Sequence, residues 1–263
     1  MTAYAADPEA YARAMGRLSR RLAAPFLDFA GVPAGASVLD LGCGTGNLAA
    51  VLAERDPASR ITGIDIAPGF IDAARRAVPS ARFMLADAMA LPFPGAAFDA
   101  GLAMLVLPFP PEPDVAAAEL LRVVRPGAVV AAAMWDVTGG MPIFRLLADT
   151  VALAVPGGQE MRDRLYRVRL TRPGRLAATL AKAGLAVERE QEITIRVDYP
   201  DGASFWRAWS GHSGVLGPFL AALPDEERAA AREAVLAAYR SGSPDGPRSF
   251  TATAFAVRGR KPG

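Results

Sequence analysis

Val38-Leu39-Asp40-Leu41-Gly42-Cys43-Gly44-Thr45-Gly46-Asn47 decides how this 263-residue chain is read. A short run of strand character enters a glycine-rich turn, after which Leu48, Ala49, Val51, Leu52 and Ala53 repeat with helical spacing. A strand, a tight loop and a helix start, in that order, turn the unpaired N–H groups of a helix toward a ligand, and the glycines let backbone approach it closely. The glycines fall at 42, 44 and 46; a dinucleotide fingerprint, G-x-G-x-x-G, would need a third glycine where Asn47 stands. Asp40 precedes the first glycine by two residues. Taken alone, the loop leaves more than one cofactor open.

Outward from the loop the pattern alternates between strand and helix, which predicts a parallel sheet covered on both faces. Arg60 to Ile64 is a β-branched run ending at Asp65, and Pro68 opens a helix carrying Phe70, Ile71, Ala74 and Val78. Arg82 to Ala86 is a third strand ending at Asp87, and Phe98 to Met104 is a fourth. A helix over 113–123 and the turn Arg125-Pro126-Gly127 lead to a strand from Ala128 to Met134. Asp40, Asp65 and Asp87 therefore sit at the C-terminal ends of three successive strands, the edge where open α/β sheets bind ligands. Singly, each would serve as a helix cap or turn residue; together with the glycine loop they point to a ligand site.

The flanks are less regular. Residues 9–30 read as a helix with Met15, Leu18, Leu22, Phe26 and Phe29 inward, and Arg13, Arg17, Arg20 and Arg21 read as a solvated face. Residues 139–170 hold helical pieces, and an arginine-rich run from Arg162 to Arg175 reads as solvated surface or, alternatively, as a binder of an anionic substrate. A helix over 173–183 ends at Gly184, Val187 to Val197 alternates as a strand, a helical block spans 203–240, and Phe250 to Val257 is the last strand.

Composition sets the outer limits. With 52% hydrophobic and 21% charged residues the chain has ample core for a soluble globular enzyme. A net charge of +2 is too small for a nucleic-acid surface. The single cysteine, the lack of a signal-like N-terminus and the shortness of the apolar runs predict a cytoplasmic protein without a membrane segment.

The segments after the loop carry a family resemblance. Asp40-Leu41-Gly42-Cys43-Gly44-Thr45-Gly46 resembles motif I of the class I S-adenosylmethionine (SAM) methyltransferases, and Gly63-Ile64-Asp65-Ile66-Ala67-Pro68 resembles motif II. Ala86-Asp87-Ala88-Met89-Ala90-Leu91-Pro92-Phe93, Phe98-Asp99 and Glu119-Leu120-Leu121-Arg122-Val123-Val124-Arg125-Pro126-Gly127 are similar to later segments of that family, with Ala128 in place of its second glycine. Met15-Gly16-Arg17-Leu18-Ser19-Arg20 is similar to the start of a bacterial, small-molecule-methylating subset.

The resemblance implies an α/β, Rossmann-like, doubly wound sheet of seven strands, mostly parallel with an antiparallel last strand, plus a helical cap. It implies SAM as cofactor and S-adenosylhomocysteine (SAH) as product, with no metal. Gly42, Cys43 and Gly44 would pass beneath the methionine moiety, and Asp65 would accept from both ribose hydroxyls, with Ile66 beside it. Asp87 and the Ala88 N–H would take the adenine, Met104 would lie near the sulfonium, Asp40 would fix the loop or reach the amino end, and Arg17 is a candidate for the methionine carboxylate. The implied organisation is a single catalytic domain. Residues 1–30 cover the cofactor site, 31–138 form the core SAM-binding half, 139–172 are a helical insertion, 173–197 and 249–263 complete the sheet, and 198–248 form a helical lid insertion.

The acceptor is written less clearly. The fourth-strand tip, Met104-Leu105-Val106-Leu107-Pro108-Phe109, lacks the Asn-Pro-Pro-Tyr-type signature of enzymes that methylate nucleic-acid bases or glutamine. The expected acceptor is an O, N or C atom of a small, partly apolar molecule, with no nucleic-acid or membrane partner and a monomeric or homodimeric protein. His212, the single histidine, is the candidate base, with proximity alone or Asp136 as substitutes. Cys43 reads as a small packed loop residue rather than a nucleophile. The aromatic-rich block holding Phe205, Trp206, Trp209 and Phe219 reads either as a lid over a dry acceptor pocket or as a subdomain with its own small core. A non-catalytic SAM- or SAH-binding protein and an NAD-dependent oxidoreductase are the competing readings.

Overall fold

The computed structural model describes residues 7–211 and 214–263. Seven strands form one sheet: β1 Ser37–Leu41, β2 Arg60–Asp65, β3 Arg82–Leu85, β4 Phe98–Met104, β5 Val124–Trp135, β6 Ala186–Tyr199 and β7 Arg248–Arg260. Their order is β3-β2-β1-β4-β5-β7-β6. Only β7, inserted between β5 and β6, runs antiparallel to its neighbours. The chain moves outward from β1 to β3 and then crosses back to pair β4 with β1. That reversal opens a crevice at the C-terminal end of β1.

The central strands are buried on both faces, so their sequences are largely apolar, whereas β6 at the edge alternates. In β6, Ile193, Ile195, Val197 and Tyr199 are buried, and the residues between them face solvent. Gly101 in β4 is required by packing, because a Cβ there would lie 2.8 Å from Leu120 of α5 (Pro113–Val123).

The N-terminal helix predicted over 9–30 is three continuous pieces: α1 Pro8–Tyr11, a wider π-helical turn over Ala12–Gly16, and α2 Arg17–Ala30. Such turns rotate the residues before them relative to the helix that follows. Leu18, Leu22, Phe26 and Phe29 are buried as their spacing predicts, each contributing about 1.5–3 kcal/mol. α3 (Asn47–Arg55) packs beside α2, joined by Arg55 bonding to Asp28 at 2.7 Å. α4 (Pro68–Ala77) follows β2; α6 (Pro142–Ala154), α7 (Gly158–Tyr166) and α8 (Arg175–Lys182) lie between β5 and β6.

The block read as one helical stretch over 203–240 is three helices, α9 Gly202–Trp209, α10 Leu216–Ala222 and α11 Asp225–Arg240. The Asp201 carboxylate caps α9 by accepting from the Ser204 N–H at 2.6 Å, and Leu223-Pro224 separates α10 from α11. A separate small core for this block is not what forms. Phe205 of α9, Tyr239 of α11, Tyr199 of β6 and Phe250 of β7 form one aromatic cluster, Phe205 stacked on Phe250 and edge-on to Tyr199, with centroid distances of 5.0 to 6.1 Å across its ring pairs. These side chains belong to the same buried cluster as the sheet, because β6 and β7 extend beyond β5 and present aromatic rings there.

Candidate active site

The crevice beyond β1 gathers the residues singled out in the sequence. Gly42 (φ 67°), Gly44 (φ 53°) and Gly46 (φ 83°) all have left-handed backbone, and Gly46 precedes the first residue of α3. Packing adds a second reason for glycine at position 42 and leaves little room at position 46. A Cβ on Gly42 would lie 2.1 Å from Val106, and one on Gly46 3.3 Å from Ala74. The loop is tied to β2 because the Cys43 N–H donates to the Ile64 carbonyl at 2.8 Å.

Asp65 closes the crevice on one side. Its carboxylate accepts from the Gly44 N–H at 3.0 Å and the Ala67 N–H at 2.9 Å, so the glycine loop and the end of β2 are held together by one side chain. Burial nevertheless pushes its pKa up. Next to it Ile66 is 65% exposed, an apolar surface with no packing role. Asp87 lies beyond β3, its carboxylate accepting from the Met89 N–H at 2.8 Å, and the Ala86 N–H donates to the Asp65 carbonyl at 3.0 Å. Ala88 and Met89 are half-buried beside it.

Asp40 lies underneath. It is 2% exposed, and its Oδ2 has no hydrogen-bond partner. Burial and the neighbouring Asp65 charge push its pKa up to about 8, with only the Ala49 backbone N–H opposing them. Burial followed by the Asp40 and Asp65 charges pushes the Cys43 thiol far up, which disables it as a nucleophile and supports its reading as a packed loop residue.

Tyr11 was not singled out in the sequence. The π-helical turn carries it over the loop: its hydroxyl lies 3.9 Å from where a Cβ on Gly44 would be, and hydrogen-bonds Ser19 Oγ at 3.0 Å. Its ring sits 5.1 Å from that of Phe70 in α4. No local pattern marks it, because its position depends on where the N-terminal helix returns over the sheet.

Met104 ends β4 and is buried, and the next residue, Leu105, has φ 67°, a costly conformation for a branched side chain, held by its N–H donating to the Ala133 carbonyl at 2.8 Å. Arg17 lies at the mouth of the crevice in an open groove of about 360 Å³ lined also by Arg20, Arg21, Thr45 and Asn47. It donates to the Asp198 carbonyl at 2.8 Å and its guanidinium lies 5.0 Å from the Tyr199 ring centroid, leaving its charge without a carboxylate partner among the described residues. Arg13, Arg20 and Arg21 do form solvated ion pairs, and Arg162 bonds Asp149 at 2.6 Å, as a solvated face predicts.

His212 lies outside the described residues. Asp136 is engaged in its own turn, its Oδ1 accepting from Thr138 and Gly139 N–H groups at 3.1 and 2.8 Å. Trp209 of α9 donates through Nε1 to the Tyr199 hydroxyl at 3.0 Å and packs edge-on against Phe144 at 5.4 Å, while Trp135 Nε1 at the end of β5 is buried without a partner.

The crevice thus offers carboxylates for hydroxyl donors, an exposed apolar residue for a flat ring, a glycine cradle, and a buried acid suited to a cation. That set fits SAM, which carries all four features. A methyltransferase-domain family model matches residues 39–132. A trans-aconitate 2-methyltransferase from Azoarcus is 34% identical over 212 residues, covering 79% of this chain and 77% of that protein. The chain belongs to the class I SAM-dependent methyltransferases and is an enzyme of that class, with SAM as cofactor. A 2-methyl-6-phytyl-1,4-hydroquinone methyltransferase from Synechocystis is 41% identical, but over 108 residues, 40% of this chain and 34% of that protein. The fold is shared with a Streptomyces coelicolor geranyl diphosphate C-methyltransferase solved with Mg2+, geranyl diphosphate and SAH, at TM-score 0.53 and 15% identity, covering 93% of this chain and 80% of that one. No helix among the described residues is long and apolar enough to cross a membrane.

Proposed function

We propose that this chain methylates a carboxylate oxygen of a small, partly apolar acid. The observation that carries the reading is the tip of β4. Met104, Leu105, Val106 and Leu107 are apolar, and the nearby acid Asp136 is committed to its turn. Among the described residues, which do not include His212, the tip presents no free base; that suits an acceptor needing no deprotonation, and a carboxylate, with a pKa of about 4, is already ionised at neutral pH. The trans-aconitate likeness supports it by running over most of the chain, whereas the quinol likeness covers well under half.

When bound, SAM supplies an electrophilic methyl group on a sulfonium, whose carbon–sulfur electron pair returns to sulfur as the acceptor oxygen takes the methyl. The chain's residues hold and orient. Asp65 receives the ribose hydroxyls, Ile66 lies against the base, Asp87 and the Ala88 N–H take its polar edge, and Gly42, Cys43 and Gly44 floor the methionine moiety. Arg17, its charge free of a carboxylate, takes the methionine carboxylate at the groove beside Thr45 and Asn47. Met104, buried at the end of β4, would lie on the sulfonium side. Residues 7–30 cover the cofactor, and α9 to α11 close over the acceptor through Trp209, excluding water and fixing the approach of the two reactants. The lid is built into the core through Phe205 and Tyr239, so removing 203–240 whole would expose the sheet; Trp209→Ala is the sharper probe.

The test is turnover of SAM by the purified chain with small mono-, di- and tricarboxylates and with quinols, reading SAH formation and product mass. A product that alkali returns to the starting acid is the expected methyl ester. An alkali-stable product, or turnover with quinols only, would refute carboxylate methylation.

A further inference from the structure

Asp40 is the one acid of the crevice whose carboxyl is fully buried and has an oxygen without a partner. The groups that face it come from each surrounding element. Asp65 approaches from β2, Cys43 from the loop, Tyr11 from the N-terminal segment, and the Ala49 N–H from the first turn of α3. Ser19 of α2 is spent on Tyr11 and on the Met15 carbonyl, and Arg17 is turned to Asp198 and Tyr199. Against a single N–H stand burial and a second carboxylate, an arrangement that favours the neutral acid and pushes its pKa up to about 8. A ligand cation reverses that balance, and SAM brings two, an ammonium and a sulfonium.

We infer that Asp40 holds a proton in the free protein and releases it to solvent when the cationic donor binds. The inference rests on the assignment of this crevice to SAM. The O–H bond of the carboxyl breaks, the proton passes to buffer, and the carboxylate left behind faces the ligand's positive charge; no bond to the ligand forms. Binding of SAM is therefore linked to pH through a residue beneath the glycine loop, and affinity rises with pH until Asp40 is ionised in the free protein as well.

Isothermal calorimetry with SAM, without acceptor, in buffers of different ionisation enthalpy counts the proton. At pH 7 roughly 0.9 proton should be released per site, and Kd should improve about tenfold between pH 6 and 7, the range in which the ammonium of free SAM stays largely protonated. Asp40→Asn should bind with no released proton and a flat pH profile. Infrared difference spectra of the wild-type chain supply a second readout, the loss of a protonated-carboxyl C=O band on adding SAM. Binding with no buffer dependence, release that persists in D40N, or an unchanged infrared band would each overturn the inference while leaving the cofactor site standing. Absence of SAM binding by the wild-type chain would overturn both.

Discussion

Gly42→Ala probes the glycine loop with a magnitude that follows from two separable terms. The backbone at Gly42 has φ 67°, and an L-residue there costs about 1–2 kcal/mol. The added Cβ would lie 2.1 Å from one γ-carbon of Val106 and 2.4 Å from its Cβ. Ordinary carbon contacts lie near ~3.6 Å, so Val106 must retreat by roughly 1.5 Å. Overpacking of that kind costs about 1–3 kcal/mol, for a total of about 2–5 kcal/mol. Gly127→Ala supplies the control. Its φ is 78°, but nothing lies within 4 Å of the new methyl group, so only the backbone term of about 1–2 kcal/mol applies. Urea denaturation with unchanged m-values measures both losses, and SAH titration should show weakened binding for G42A alone. Val106→Ala in the G42A background should recover part of the loss. Equal destabilisation by the two glycine substitutions would show that Val106 yields freely and that close packing plays no part in the choice of Gly42.

Asp40 also leaves a signature in stability. Its pKa is raised from 3.8 to about 8, so the native state keeps a proton that the unfolded chain has lost, and stability falls as pH rises through that window. Asp40→Asn lacks this loss, so its stability relative to the wild-type chain should increase from pH 4 to pH 8 in urea titrations; a constant difference would contradict the assignment. Tyr199→Phe leaves the buried Trp209 N–H unpaired and should cost about 1–3 kcal/mol by urea denaturation, and the proposed lid role of α9 predicts a slower methylation rate as well. Asp65→Asn replaces one acceptor oxygen by a donor facing backbone N–H groups, and should weaken SAH binding by roughly 10- to 100-fold, measured by calorimetry, because a charge-assisted hydrogen bond contributes about 1.5–3 kcal/mol.

The seven-stranded sheet with its antiparallel last strand was implied by the family resemblance; the strand–helix alternation and the strand-end positions of Asp40, Asp65 and Asp87 were legible in the residues themselves. Each rests on local chemistry: apolar periodicity, proline at helix starts, and glycines where the backbone turns left-handed, all written in neighbouring residues. Tertiary structure alone decided the rest. Tyr11 reaches Gly44 because a π-helical turn rotates it there; Arg17 meets Asp198 and Tyr199 across 181 positions of chain; Val106 packs on Gly42; and the helices from 202 to 240 merge into the main core through Phe205 and Tyr239. These contacts join segments whose separation along the chain leaves no periodic trace, and they exist only once β6 and β7 have carried the C-terminal third back beside β5. The neutral Asp40 belongs with them. Its position is written in the loop, but its charge state is set by burial and by Asp65, which only the folded sheet brings alongside.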